Sequence, residues 1–311
     1  MKDFKRVFFI LGIVVALLAF YISTQTKSVQ TKSTKPIVAV SSFALYDIVT
    51  HLAPKSVEIV NILPFGVDAH SFEPTPKLMA SLERSSLVVY SGAGLEPWID
   101  GFVFKSDTIN MSQFVTLKKL SGSHSHHQHS HTKHQSNLDP HYWLDFENMK
   151  KATEVVSQAL IKLDAKNREI YEQNKKNYIK MLENLDSSYT QSLNSCKKDV
   201  IITNHNAFSY LASRYGFEVE ALSGLSPEAQ PSAKQIAILM EHIKEDDIKT
   251  IFFESFVSDK VINAIAKDVK VGVDTLQPLG NITKNEAQKG MGYEQIMRQN
   301  LTKLQKALEC H

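Results

Sequence analysis

Net charge is almost absent from this chain. Lys and Arg number 35 against 33 Asp and Glu, a sum of +2 over 311 residues. With no broad basic field to hold a polyanion and no nucleic-acid motif, a nucleic-acid partner is not expected. Cysteine is scarce as well: only Cys196 and Cys310 occur. In an oxidising compartment these two could pair. The bridge would tie the C-terminal helix to the start of the second half and close a loop of roughly a hundred residues, worth about 4–5 kcal/mol in the chain-entropy model. Only one long apolar run is present, residues 7–22, and it is a little short for a comfortable transmembrane helix. Lys2, Lys5 and Arg6 precede it, which is the architecture of an export signal; an uncleaved N-terminal anchor is the alternative. No cysteine follows the run, which argues against lipoprotein anchoring. In either case the rest of the chain is expected outside the cytoplasm. Residues 23–35, rich in Ser, Thr, Gln and Lys, read as a flexible tether.

Short β-branched runs alternate with helical patterns. Residues 36–40, 57–63 and 87–90 read as buried strands, and 43–52 and 76–83 as helices. Thr75 before Pro76 fits a helix start, since proline suits the first helical position. Alternation of this kind implies a parallel sheet covered by helices. From 147 to 196 there is no Pro or Gly. Within 166–194 the apolar residues Ile170, Tyr178, Met181, Leu182, Leu185, Tyr189 and Leu193 line one face, predicting a helix of about 28 residues and roughly 40 Å. Strands at 200–203, 250–254 and 269–273 and helices at 232–244, 259–267 and 293–308 follow. The expected fold is α/β: two lobes, each a mainly parallel sheet flanked by helices, joined by one long bridging helix. The expected organisation is a signal or anchor and tether at 1–35, a first lobe at 36–146, a bridging segment at 147–196 and a second lobe at 197–311. No short internal sequence repeat is visible.

Histidine is the residue in excess. Six of the twelve lie in a low-complexity insert at 122–137. Such a tract offers many equivalent ligands without fixed geometry and reads as a metal-collecting or sensing accessory that binds divalent ions loosely; a solvated linker is the alternative. Three other histidines sit where strands give way to loops or just outside local helices: His70 in PFGVDAHSFEPTP, His141 in LDPHYWLDF and His205 in VIITNHNAF. Ligands of open α/β sheets gather at the carboxyl ends of strands. Imidazole suits zinc, copper, iron and nickel, and three His ligands leave one tetrahedral position open. Asp145 is a candidate to hold a ring N–H of His141, and Asp68 one of His70, as ligating histidines require. His51, His242 and His311 read as incidental. Neutral imidazoles are needed, so binding should weaken as pH falls through roughly 6–7. Trp143 reads as core by its size.

Several segments together resemble one family. GVDAHSFEPTP, LDPHYWLDF, TNHNAFSYLASRYGF, SGLSPEAQPSAKQI and FFESFVSDK resemble, in order and spacing over about 36–308, the ZnuA-type zinc branch of the metal-specific substrate-binding proteins of ABC importers. The resemblance implies two lobes bridged by a helix, a stiff hinge, and a metal in the cleft. It carries metal-ligand roles onto His70, His141 and His205. It implies Zn2+ as transported ligand, an inner-membrane ABC permease as partner, a monomer, a periplasmic location and no enzymatic turnover. Manganese-selective relatives place a carboxylate at the third position, where this chain has His205. Two positions depart from the pattern. Ala69 stands where a proline often precedes the first His. The family's fourth-ligand Asp falls on Gln277, leaving water, Asp274 and Gln277 as candidates. The competing readings are a manganese or iron carrier of the same fold, a metal buffer acting through the tract, and a zinc hydrolase. The last lacks an HExxH motif and any Glu paired in sequence with the three histidines.

Overall fold

Four short runs build the first sheet: β1 (Ile37–Val40), β2 (Glu58–Asn61), β3 (Leu87–Tyr90) and β4 (Asp107–Asn110). All pair in parallel, in the order β2-β1-β3-β4. Val38, Ala39 and Val40 are fully buried because both faces of the sheet are covered. Val38 and Val40 join the main core, while Ala39 packs on the opposite face with Ile62, Leu82 and Val88. Helix α1 (Phe43–Leu52) covers one face and α2 (Pro76–Leu82) follows β2. Thr75 caps α2 by accepting from the Leu78 N–H at 3.3 Å, with Pro76 at the first position.

The structure is a computed structural model that describes residues 35–119, 138–224, 231–255 and 260–311. The expected export signal, most of the tether and the histidine-rich tract lie outside the described residues. Among the described residues no helix is long and apolar enough to cross a membrane. The chain leaves for the insert and returns from it through an antiparallel bridge between Lys119 and Leu138.

The segment expected at 147–196 holds two helices, and the long one expected within 166–194 is the second of them. Helix α3 (Phe146–Leu163) stops at Asp164, and α4 (Arg168–Ser192), 25 residues and about 37 Å long, folds back against it. The break is built by polar chemistry: Asp164 Oδ2 accepts from Tyr171 Oη at 2.8 Å and from Asn167 Nδ2 at 2.6 Å. The buried stripe of α4 starts at Tyr171, not at Ile170, which is 53% exposed. Residues 171, 178, 182, 185 and 189 then follow at helical spacing.

The second sheet comprises β5 (Val200–His205), β6 (Glu218–Ser223), β7 (Thr250–Phe253) and β8 (Gly272–Thr275), parallel in the order β6-β5-β7-β8. This repeats the strand order of the first sheet, a repeat carried by topology alone. Its helices are α5 (Ser209–Tyr215), α6 (Ala233–Glu245), α7 (Lys260–Val269), α8 (Lys284–Gln288) and α9 (Tyr293–Ala307). The strand expected at 269–273 begins three residues late. Val269 packs on the core from the end of α7 beside Ile262, Ile265 and Ala266, and Lys270, at φ 62°, ends the helix. Strands β4 and β6 escape the sequence reading because they are polar edges, DTIN and EVEALS.

Helix α4 packs on α1 from the first half and on α9 from the second. Asp47 of α1 sits at that junction, 4% exposed. Its carboxylate accepts from Tyr178 Oη of α4 at 2.7 Å and from the Tyr293 N–H of α9 at 3.0 Å. His51 stands one turn on, with Nδ1 3.3 Å from Asp47 Oδ2. The hydrogen bond to Asp47 raises the His51 imidazole from 6.5 to about 9, against the opposing effect of burial. A folded-state value above the unfolded one means the contribution is complete below about 6.5 and is lost as pH rises through about 9. His51→Gln is therefore expected to flatten the fall in stability across that window in urea titrations. A slope as steep as that of the unsubstituted protein would refute the assignment.

Cys196 and Cys310 form a disulfide with a sequence separation of 114, tying the end of α9 to the segment before β5. In the chain-entropy account a loop of that length is worth about 4–5 kcal/mol. Thermal melts with and without reductant should differ by several degrees; coincident melts would show that the bridge adds nothing.

Candidate metal site

The three histidines arrive from three elements. His70 lies in the loop between β2 and α2, His141 precedes a single 3-10 turn (Tyr142–Leu144) at the start of α3, and His205 is the last residue of β5. The fold brings all three together. His70 Nε2 lies 3.3 Å from His141 Nε2, and His205 Nε2 lies 3.4 Å from His141 Nε2. His141 and His205 are 2% and 1% exposed, and His70 is half-buried at the rim.

The opposite ring nitrogens set the tautomers. His141 Nδ1 donates to Asp139 Oδ1 at 2.7 Å, and the same oxygen accepts the His141 backbone N–H at 3.0 Å. Asp139 is held in turn by the Ser209 hydroxyl. His205 Nδ1 pairs with Glu254 Oε1 at the carboxyl end of β7. A ring that donates from Nδ1 presents a lone pair at Nε2. Lone pairs that face one another at these separations repel unless a cation lies among them. A tetrahedral ion with metal–nitrogen bonds of about 2.0–2.1 Å requires nitrogen–nitrogen edges of about 3.3–3.4 Å, which matches the two separations measured from His141.

Burial, and then the neighbouring His141, depress the His205 imidazole to about 3, and burial depresses His70 well below its ordinary value. Both rings are therefore neutral well below the pH 6–7 expected of free imidazoles, so for these two proton competition begins lower. Burial pushes the Glu254 carboxyl up to about 8; positive charge in the site would favour its ionised form. The rings surround a cavity of about 20 Å3, lined also by Asp68, Leu95, Trp143, Glu254 and Asn281. That volume admits one water-sized species and no organic molecule.

Several expected roles fall elsewhere. Asp145 does not reach His141; it caps α3 by accepting from the Glu147 N–H at 2.7 Å, and Asp139 takes the ring instead. Asp68 accepts the His70 backbone N–H at 3.0 Å, not a ring nitrogen. Neither fourth-ligand candidate from the chain lines the cavity. Asp274 pairs with Lys303 at 3.1 Å, and the Gln277 amide donates to Glu286 at 3.1 Å. Glu254 was missed, and a Glu is therefore paired with one of the three histidines. Its only local signal was its place at the end of the TIFFE run. Trp143 is fully buried as expected and also walls the cavity. Of the incidental histidines, His51 joins Asp47, His242 pairs with Glu220 at 2.9 Å, and His311 donates its backbone N–H to Ser195 at 3.1 Å.

The chain is similar to the high-affinity zinc uptake system protein ZnuA of Bacillus subtilis (strain 168), at 32% identity over 96% of each chain. It is 28% identical to the zinc-binding lipoprotein AdcA of Streptococcus pneumoniae over 98% of this chain, and spans 61% of that longer protein. Among solved structures, the Zn(II)-bound ZnuA-like domain of Streptococcus pneumoniae AdcA superposes with a TM-score of 0.74 at 28% identity, covering 88% of this chain and 99% of that one. The metal-dependent lipoprotein YcdH from Bacillus subtilis gives a TM-score of 0.74 at 30% identity over the same shares. A family model described as zinc-uptake complex component A, periplasmic, matches residues 38–307. Because that match runs from the first strand of the first sheet to the last helix of the second, this chain belongs to the ZnuA family.

Proposed function

We propose that this chain captures one zinc ion outside the cytoplasm, with His70, His141 and His205 as ligands, and delivers it to the permease of an ABC importer. The observation that carries the reading is the convergence of three imidazoles whose ligand atoms lie within 4.8 Å of one another, with the two Nε2 separations from His141, 3.3 and 3.4 Å, at tetrahedral edge lengths. An all-imidazole donor set favours zinc over the harder ions that prefer carboxylates. Asp139 and Glu254 orient two of the rings, and such partners also raise ligand basicity. The zinc-uptake names of the relatives support the same reading.

Residues 36–146 and 197–311 are the two walls of the site, and 147–196 the bridge between them. Capture without turnover fits a cavity of about 20 Å3, too small for an organic substrate. Glu254 engages the ring nitrogen of His205 that points away from the convergent atoms, so it orients a ligand and is not aimed at an attacking water. Water is the remaining candidate for the fourth position. The histidine-rich insert is an accessory that collects ions. The protein acts as a monomer in the periplasm.

The test is a zinc titration by chelator competition on the exported chain, with and without residues 122–137. One tight site that survives the deletion supports capture in the cleft. Loss of all tight binding with the insert would move the chemistry there and replace the importer reading with a buffering one.

A further inference from the structure

Two of the three imidazoles are held by a carboxylate at the ring. His70 differs: the carboxylate beside it, Asp68, takes its backbone N–H. The position of His70 therefore depends on the loop that carries it, residues 62–70, and that loop is fastened from the other half of the molecule.

The fastening is a strap, residues 276–283, between β8 and α8. It crosses to the first half and is hydrogen-bonded there at four places. Trp143 Nε1 donates to the Pro278 carbonyl at 2.7 Å. The Phe43 N–H at the start of α1 donates to the Gly280 carbonyl at 3.0 Å, and the Gly66 N–H to the Ile282 carbonyl at 2.8 Å. Asn281 makes the remaining contacts. Its amide nitrogen donates to the Pro64 carbonyl at 2.7 Å and to the Val67 carbonyl at 2.8 Å, bracketing the His70 loop. Its Oδ1 accepts the Ile282 N–H at 2.9 Å. The side chain is 2% exposed, and Asn281 lines the cavity among the histidines. The strap has little freedom to retreat: Leu279 holds a φ of 60°, and a Cβ on Gly280 would come within 3.3 Å of the Trp143 ring.

We infer that Asn281 is a positioning residue for the metal site, holding the His70 loop from the opposite lobe so that His70 Nε2 meets the other two imidazoles. The inference rests on the zinc-capture reading. An amide with two donors is what two inward-facing carbonyls three residues apart require. Without both donors the Val67 carbonyl loses this bond, or the Pro64 carbonyl keeps only the Val67 N–H at 3.3 Å, and the tie from the strap to the loop is weakened. The loop then relaxes and carries His70 with it, while His141 and His205 stay on their own carboxylates. Loss of Asn281 should accordingly appear as faster release of the ion and a changed coordination geometry, beyond any loss of stability.

The experiment uses the full chain with Asn281→Ala and Asn281→Asp. The aspartate keeps the shape and the acceptor to Ile282 but removes both donors. Asn174→Ala is the control: its amide ties α4 to the Leu52 carbonyl at 3.0 Å, away from the strap. Zinc dissociation is followed by stopped flow against a chelator, and cobalt(II) substitution reads the geometry by its visible absorption. Both Asn281 variants are expected to release zinc about 10–100-fold faster, the range typical of outer partners of metal ligands, with an altered cobalt spectrum. Asn174→Ala should melt lower yet leave rate and spectrum unchanged. An unchanged rate and spectrum in Asn281→Asp overturns the inference alone, as does an equal effect in Asn174→Ala. Absence of any tight zinc site in the unsubstituted chain overturns the capture reading and this inference together.

Discussion

His141→Ala is expected to lower zinc affinity by more than about 100-fold, and Asp139→Asn by about 10–100-fold, the range typical of outer-shell partners. The ordering follows from the geometry. His141 is the central ring, with His70 and His205 placed 3.3 and 3.4 Å from its Nε2 atom. Its removal takes a ligand and widens the triangle at once. Asp139→Asn keeps an oxygen that can accept from Nδ1 but loses the charge that makes the imidazole more basic. It also weakens a carboxylate that holds the His141 ring, the His141 backbone N–H and the Ser209 hydroxyl. Competition titrations on the folded variants give both numbers. Equal losses, or a larger loss for Asp139→Asn, would mean that His141 is not a ligand in the way argued above.

Asp47→Ala is expected to cost about 3–5 kcal/mol of stability, the scale for breaking a buried charged hydrogen-bond network. The carboxylate is 4% exposed and joins three helices that are distant in sequence. Its loss strands the Tyr178 hydroxyl and the Tyr293 N–H, both now bonded to it at 2.7 and 3.0 Å. Tyr178→Phe removes one of those bonds and should cost roughly 1–2 kcal/mol. Urea melts of the two variants decide the matter. An Asp47→Ala cost no greater than that of Tyr178→Phe would reduce Asp47 to an ordinary hydrogen-bond acceptor. A polar junction at this point keeps α1, α4 and α9 in fixed register.

The class of fold was readable because buried parallel strands write themselves as β-branched runs. β1, β3 and β7 have apolar neighbours on both faces, so IVAV, LVVY and TIFF carry the signal without help from alternation. The edge strands β4 and β6 pair on one side only, and their side chains need not be apolar. The helical region from 147 to 196 was readable as helix, and so was the long helix within 166–194, but the contact that separates it from α3 was not. Asp164 stops α3 by capturing Asn167 of the connecting turn and Tyr171 of the next helix, an interaction that exists only once the turn has formed.

The site divides along the same line. The sequence by itself offered the three imidazoles as candidates: DAHSFEP, DPHYW and TNHNAF place each histidine where a chain turns, and the family resemblance carries the ligand role onto them. Tertiary structure alone decided how they are held. Asp139 rather than Asp145 takes the His141 ring, because the helix N-terminus at α3 claims Asp145. Glu254, 49 residues from His205 in sequence, faces it because β5 and β7 are neighbours in the sheet and both residues lie at the carboxyl ends. Asp274 and Gln277, the candidates suggested by the family's fourth-ligand position, are drawn to Lys303 and Glu286 instead. Which side chains are candidates to bind a metal depends on residue type and immediate neighbours, which sequence records. Ligand orientation depends on charge partners brought from distant elements, and those distances are set by the way the sheets and helices pack.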